Sequence, residues 1–190
     1  LIYRGRCRYC QSSIPKRYFW VELGTGLLFT FIWLRFPSSD YAAFVACCSV
    51  ILIVILVIDL QQHRIPNIIV YPAIGFALVA ALFFSEPSFG ERLLGGLFGF
   101  GLLFLLAYFL PAGMGMGDVK LMAFVGLVVG FPHVLLALFF SFVLGGLISG
   151  VLLAAGRIGR REPIAFAPFI ALGTVTTLFY GEHIIRMWVG

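Results

Sequence analysis

Long apolar runs separated by short polar joints dominate the chain, at 19–34, 41–59, 67–84, 92–110, 119–131, 133–155 and 164–180. A helix needs about 20 apolar residues to cross a bilayer. The pattern therefore predicts an all-α, polytopic membrane bundle of about seven transmembrane segments. The fifth run is short and broken by Gly126 and Gly130, so it reads as a half-helix or as a stretch continuing through Phe131-Pro132-His133. Residues 181–190 either prolong the last helix or lie at the interface.

Composition agrees with that pattern. The 190 residues are 62% hydrophobic and 11% charged, with a mean hydropathy of +1.08, which is too apolar for a soluble core. Residues 1–18 are polar and basic and read as the remnant of a cytosolic Cys-x-x-Cys region. Residues 19–190 form the bundle. With Leu1 in first place and Arg4, Arg6 and Arg8 close behind, the chain is expected to begin partway through a longer cytosolic segment. Counting bases in alternate loops puts Arg4, Arg6, Arg8, Lys16, Arg17, Arg64, Lys120, Arg157, Arg160 and Arg161 on one side, against Arg35, Arg92 and Arg186 on the other. That asymmetry makes the first side cytosolic.

The same alternation brings two carboxylates to one depth. Asp118 follows Gly113-Met114-Gly115-Met116-Gly117 and precedes Val119-Lys120, in a chain with only eight acidic residues. Pro111 is expected to stop the helix before it, and the glycines to supply positive φ and close approach. Asp59 closes the apolar run Val50–Ile58 and precedes His63, Arg64, Pro66 and Asn67. Acidic groups at the hydrocarbon edge are costly to place and mark function. Two of them held close share a proton, which is the acid/base pair of an aspartic protease. If helix ends alone decide, Asp118 at an N-terminus is the ionised member and Asp59 at a C-terminus holds the proton.

The alternative is a proton- or ion-coupled membrane transporter using the same pair, a reading that internal repeats or a mid-membrane acid would strengthen. The sequence offers neither. None of His63, His133 and His183 starts a His-Glu-x-x-His zinc motif, and there is no Gly-x-Ser-x-Gly elbow. Cys7 and Cys10 form half a zinc knuckle, short of the four ligands zinc needs. Cys47 and Cys48 lie in an apolar run and act as small hydrophobes. Three pairs of glycines four residues apart, 95/99, 126/130 and 146/150, are expected to let helices pack closely. No basic and aromatic pattern points to nucleic acid.

Taken together, the motifs resemble the bacterial type IV prepilin peptidases. Gly115-Met116-Gly117-Asp118 with Val119-Lys120-Leu121 resembles that family's second catalytic motif, and Asp59 with Pro66-Asn67 resembles the first. Arg4-Gly5-Arg6-Cys7-Arg8-Tyr9-Cys10, Val21-Glu22-Leu23 and Ile164-Ala165-Phe166-Ala167-Pro168-Phe169 match in order, with Ala167 where the family more often has Gly. The resemblance implies that Asp59 and Asp118 are catalytic, with Gly115, Gly117 and Lys120 supporting the motif. It further implies cleavage of the basic leader from type IV prepilin or pseudopilin precursors at the cytosolic face of the inner membrane, in contact with lipid. Proteolysis of this kind needs no cofactor. Zinc and S-adenosylmethionine, for N-methylation of the new terminus, would belong to a full-length form with a second Cys-x-x-Cys pair.

Overall fold

The computed structural model describes residues 15–36, 39–109, 114–157, 159 and 164–189. Cys7, Cys10, Pro111 and Gly113 lie outside them. The described residues form seven helices and no strand: α1 (Lys16–Arg35), α2 (Ser39–Gln62), α3 (Asn67–Ala80), α4 (Phe89–Phe109), α5 (Met116–Val129), α6 (His133–Ala154) and α7 (Ala167–Val189). Each helix falls on one of the seven apolar runs. The tail to Val189 continues α7.

The chain divides into two compact units, Leu1–Ala46 and Cys47–Gly190. In the first, α1 ends near Phe36, whose ring meets Tyr41 edge-on at 5.3 Å. The second holds most of the buried residues. Three helices, α2 from Asp40, α4 and α6, are long and apolar enough to cross a membrane. Large apolar side chains stay exposed along them, with Leu97 at 61% and Leu147 at 63%. A water-soluble fold would bury such a surface, whereas lipid covers it at no cost.

The centre of the second unit is α5, which packs chiefly on α4 and also meets α3, α6 and α7. Its run Leu121, Met122, Phe124, Val125, Gly126, Leu127, Val128 and Val129 is buried, as expected of a helix that is apolar all round and surrounded by others. At 14 residues it is about 21 Å long, against a hydrocarbon layer of about 30 Å. The half-helix reading holds, because α5 stops at Gly130. That residue has φ +74, and a side chain there would also collide with Pro87.

Gly95 of α4 and Gly126 of α5 let the two backbones touch, since a Cβ on either would strike the other helix. Gly99 faces Met122 in the same way. The third expected pair is different, because Gly146 and Gly150 have nothing within 4 Å. On α6 it is Gly145, against Phe166 and Phe169, that carries the packing. The expected close-packing pair on α6 is therefore absent, and the buried face of α6 passes through Gly145 instead.

Candidate active site

Four helix ends meet at one end of the second unit: the last turn of α2 and the first turns of α3, α5 and α7. First turns carry N–H groups with no partner in their own helix, so this end of the fold suits carboxylates. Asp59, in the last turn of α2, is 5% exposed. Its Oδ2 accepts the N–H of Ala167, the first residue of α7, at 3.1 Å. Its backbone carbonyl accepts the N–H of His63 at 2.8 Å. His63 takes a left-handed backbone, φ 49, which ends α2 and turns the chain through Arg64, Ile65 and Pro66 into α3.

Asp118 lies in the first turn of α5, ahead of the apolar stretch. Its Oδ2 accepts the N–H of Gly115 at 3.3 Å, a first-turn acid reaching back to the capping residue. Gly115 itself has φ −80, so this glycine does not supply the positive φ expected of the loop. The glycine with a steric reason is Gly117. A Cβ there would lie 2.8 Å from Cβ of Ile65, so only glycine lets α5 begin this close to the α2–α3 turn that follows Asp59.

Asp59 and Asp118 line one cavity of 340 Å³, together with His63, Arg64, Ile65, Asn67, Gly115, Met116, Gly117 and Lys120. Burial pushes the Asp118 carboxyl up to about 7, and the neighbouring Asp59 charge adds to the push, while the Gly115 N–H opposes it. A helix N-terminus alone would have favoured the anion. Desolvation and a like charge outweigh it here. Lys120 Nζ donates to Asn67 Oδ1 at 2.9 Å and sits 4.9 Å above the Tyr71 ring, tying the start of α5 to the start of α3.

The structure thus gathers Asp59, Asp118, Gly115, Gly117 and Lys120 around one cavity, although Asp59 and Asp118 are 59 residues apart. The Ala167 amide, which holds Asp59, is a backbone group and has no signal in the sequence motifs, where Ala167 is only a departure from the family's usual Gly. Cys7 and Cys10 lie outside the described residues. Among those described, no three His, Cys, Asp or Glu side chains are grouped to hold a metal ion.

Residues 46–150 match the type IV leader peptidase family, and residues 1–36 match the bacterial peptidase A24 N-terminal domain. The chain is 34% identical over its whole length to the prepilin leader peptidase/N-methyltransferase of Bacillus subtilis, covering 76% of that protein. Against the protein of the same name from Pseudomonas aeruginosa it is 28% identical over 97% of the chain and 66% of the relative. For that of Burkholderia pseudomallei the figures are 30%, 94% and 59%. No solved structure matches the chain.

Proposed function

Since this chain belongs to the type IV leader peptidase family, we propose that it is a membrane aspartic endopeptidase that cuts the basic leader from type IV prepilin or pseudopilin precursors. Asp59 and Asp118 are its catalytic carboxyls. The observation that carries the reading is the cavity in which the two carboxyls meet. The concentration of bases in the loops on the same side as both residues supports a site at the cytosolic face of the inner membrane.

The chemistry follows from the surroundings of the two groups. Asp118, pushed up to about 7, still carries its proton in a substantial share of molecules at neutral pH, and in that form donates a hydrogen bond to the scissile carbonyl. Asp59, oriented by the Ala167 N–H, is the ionised partner and takes a proton from water. The water oxygen adds to the carbonyl carbon. The proton held on Asp59 then passes to the peptide nitrogen, the C–N bond breaks, and a carboxylic acid and a free amine leave, Asp59 being ionised again and Asp118 still protonated. This assignment reverses the one read from helix ends alone.

A precursor with a basic head and an apolar helix would lie beside the bundle, with its junction at this cavity. There its peptide bond can unwind within reach of water.

The deciding experiment is cleavage of a pilin-like precursor in liposomes by the wild type, Asp59→Asn and Asp118→Asn, each checked for folding. Cleavage by the wild type and inert, folded variants are expected. A folded variant cutting at the wild-type rate would overturn the reading. Proton-coupled transport by a wild type that does not cut would favour the carrier instead.

A further inference from the structure

Arg92 is the largest side chain sealed completely inside the described residues, at 0% exposure. The alternation of loops had placed it near the surface opposite the two carboxylates. A buried guanidinium is tolerated only where its donors are satisfied, and these donors reach two separate elements. Nε donates to Pro87 O at 2.9 Å and Nη2 to Glu86 O at 3.3 Å, both in the segment leading into α4. Nη1 donates to Leu127 O and Val128 O, each at 3.3 Å, in the last turn of α5.

Carbonyls of a last helical turn have no acceptor role left inside their own helix, and a cation there also complements the helix dipole. Arg92 therefore caps the carbonyl end of α5 from within the core. The surrounding contacts hold the same joint: Phe131 N–H donates to Glu91 O at 2.8 Å, and Gly130 abuts Pro87. The other end of α5 carries Asp118, ten residues away and about 15 Å along a stiff rod. Between its ends α5 is packed on α4 through close glycine contacts and also meets α3, α6 and α7, so a displacement at its carbonyl end is carried along the rod to Asp118.

We propose that Arg92 is a positioning residue for the reaction. By clamping the carbonyl end of α5 to the start of α4, it fixes the depth at which Asp118 meets Asp59, and it acts through α5 without touching substrate. The inference rests on the two-carboxyl reading above.

The test measures precursor cleavage in liposomes by the wild type, Arg92→Met and Arg92→Lys, with Asp118→Asn as the inert control. In parallel, spin labels at Tyr108 and Met116, in a cysteine-free background, report the position of α5 against α4 whether or not the protein cuts. Misplacement of about 1 Å is enough to cost 100-fold, so Arg92→Met is expected to lose about 100-fold in kcat with KM within about twofold of wild type. The label distance should shift, and Arg92→Lys, which keeps the charge and loses the fork, should recover part of both.

A folded Arg92→Met enzyme with wild-type kcat, or with lowered kcat and an unchanged label distance, would overturn the inference. So would failure of both Arg92 variants to fold, which would make Arg92 a folding residue. A wild type that does not cut refutes the proposed function and not the clamp, which the label distance then decides by itself.

Discussion

The N–H of Ala167 donates to Oδ2 of Asp59 at 3.1 Å, across 108 residues of chain. The contact joins the first residue of α7 to the last turn of α2 and fixes which carboxylate oxygen is left for water. Proline at a first helical position is compatible with the helix and deletes the donor, while its ring must also be fitted where Ala167 is buried. Ala167→Pro is therefore expected to fold and to lose roughly tenfold in kcat, the equivalent of one hydrogen bond to a charged group. Ala167→Gly keeps the N–H and should stay within about twofold of wild type, since one methyl group is all that it removes. Steady-state kinetics on the two variants checks this. Equal loss in both would trace the effect to packing.

Burial and the Asp59 charge push the Asp118 carboxyl up to about 7. The sign for stability follows from linkage. Its folded pKa lies above the unfolded value, so its contribution to stability is complete below about pH 4 and is lost as pH rises through about 7. Cleavage should fall on the same alkaline limb. In Asp59→Asn the like charge is gone and the Asp118 midpoint should drop. Infrared titration of the protonated carboxyl band reads both midpoints. A midpoint unchanged in Asp59→Asn would mean that the two groups do not titrate as a pair.

Lys120 bonds Asn67 and covers Tyr71, so α5 and α3 are linked at the rim of the cavity. Lys120→Ala should lower stability by about 1 kcal/mol, and Asn67→Ala by a similar amount through the same bond. The double variant should cost less than the sum of the two, because the second substitution finds the bond already gone. Thermal melts of the three variants measure the coupling. Strict additivity would show that the bond contributes nothing.

How far the sequence reached depended on what kind of contact was involved. Every helix was legible, since each is an apolar run long enough to need the bilayer or a fully buried place. So was the common depth of Asp59 and Asp118, which loop alternation gives, while their pairing rested on the motif resemblance. Three features were hidden for a common reason. The Ala167 donor is a backbone group, and backbone amides are present at every position. Arg92 read as a loop base because its partners are carbonyls, which have no signature in the sequence. The α6 face was misplaced by one residue, since Gly145, Gly146 and Gly150 all fit a small-residue seam, and only the partner helix selects among them.

Gly117 gives the sharpest steric prediction. An added Cβ would sit 2.8 Å from Cβ of Ile65, itself attached to the backbone and unable to swing away. Gly117→Ala must therefore push the first turn of α5 away from the α2–α3 turn, carrying Asp118 with it. Because shifts of about 1 Å at a reacting group cost on the order of 100-fold, kcat should fall by about that factor. The helix itself should not suffer, since alanine is the better helix former. Trimming the opposing side chain offers the check. Ile65→Ala alone opens space at the cavity wall, while Gly117→Ala with Ile65→Gly removes the clashing carbon and should restore part of the lost rate. If the double variant stays as slow as Gly117→Ala, the glycine is needed for a motion of the loop and not for the close approach argued here.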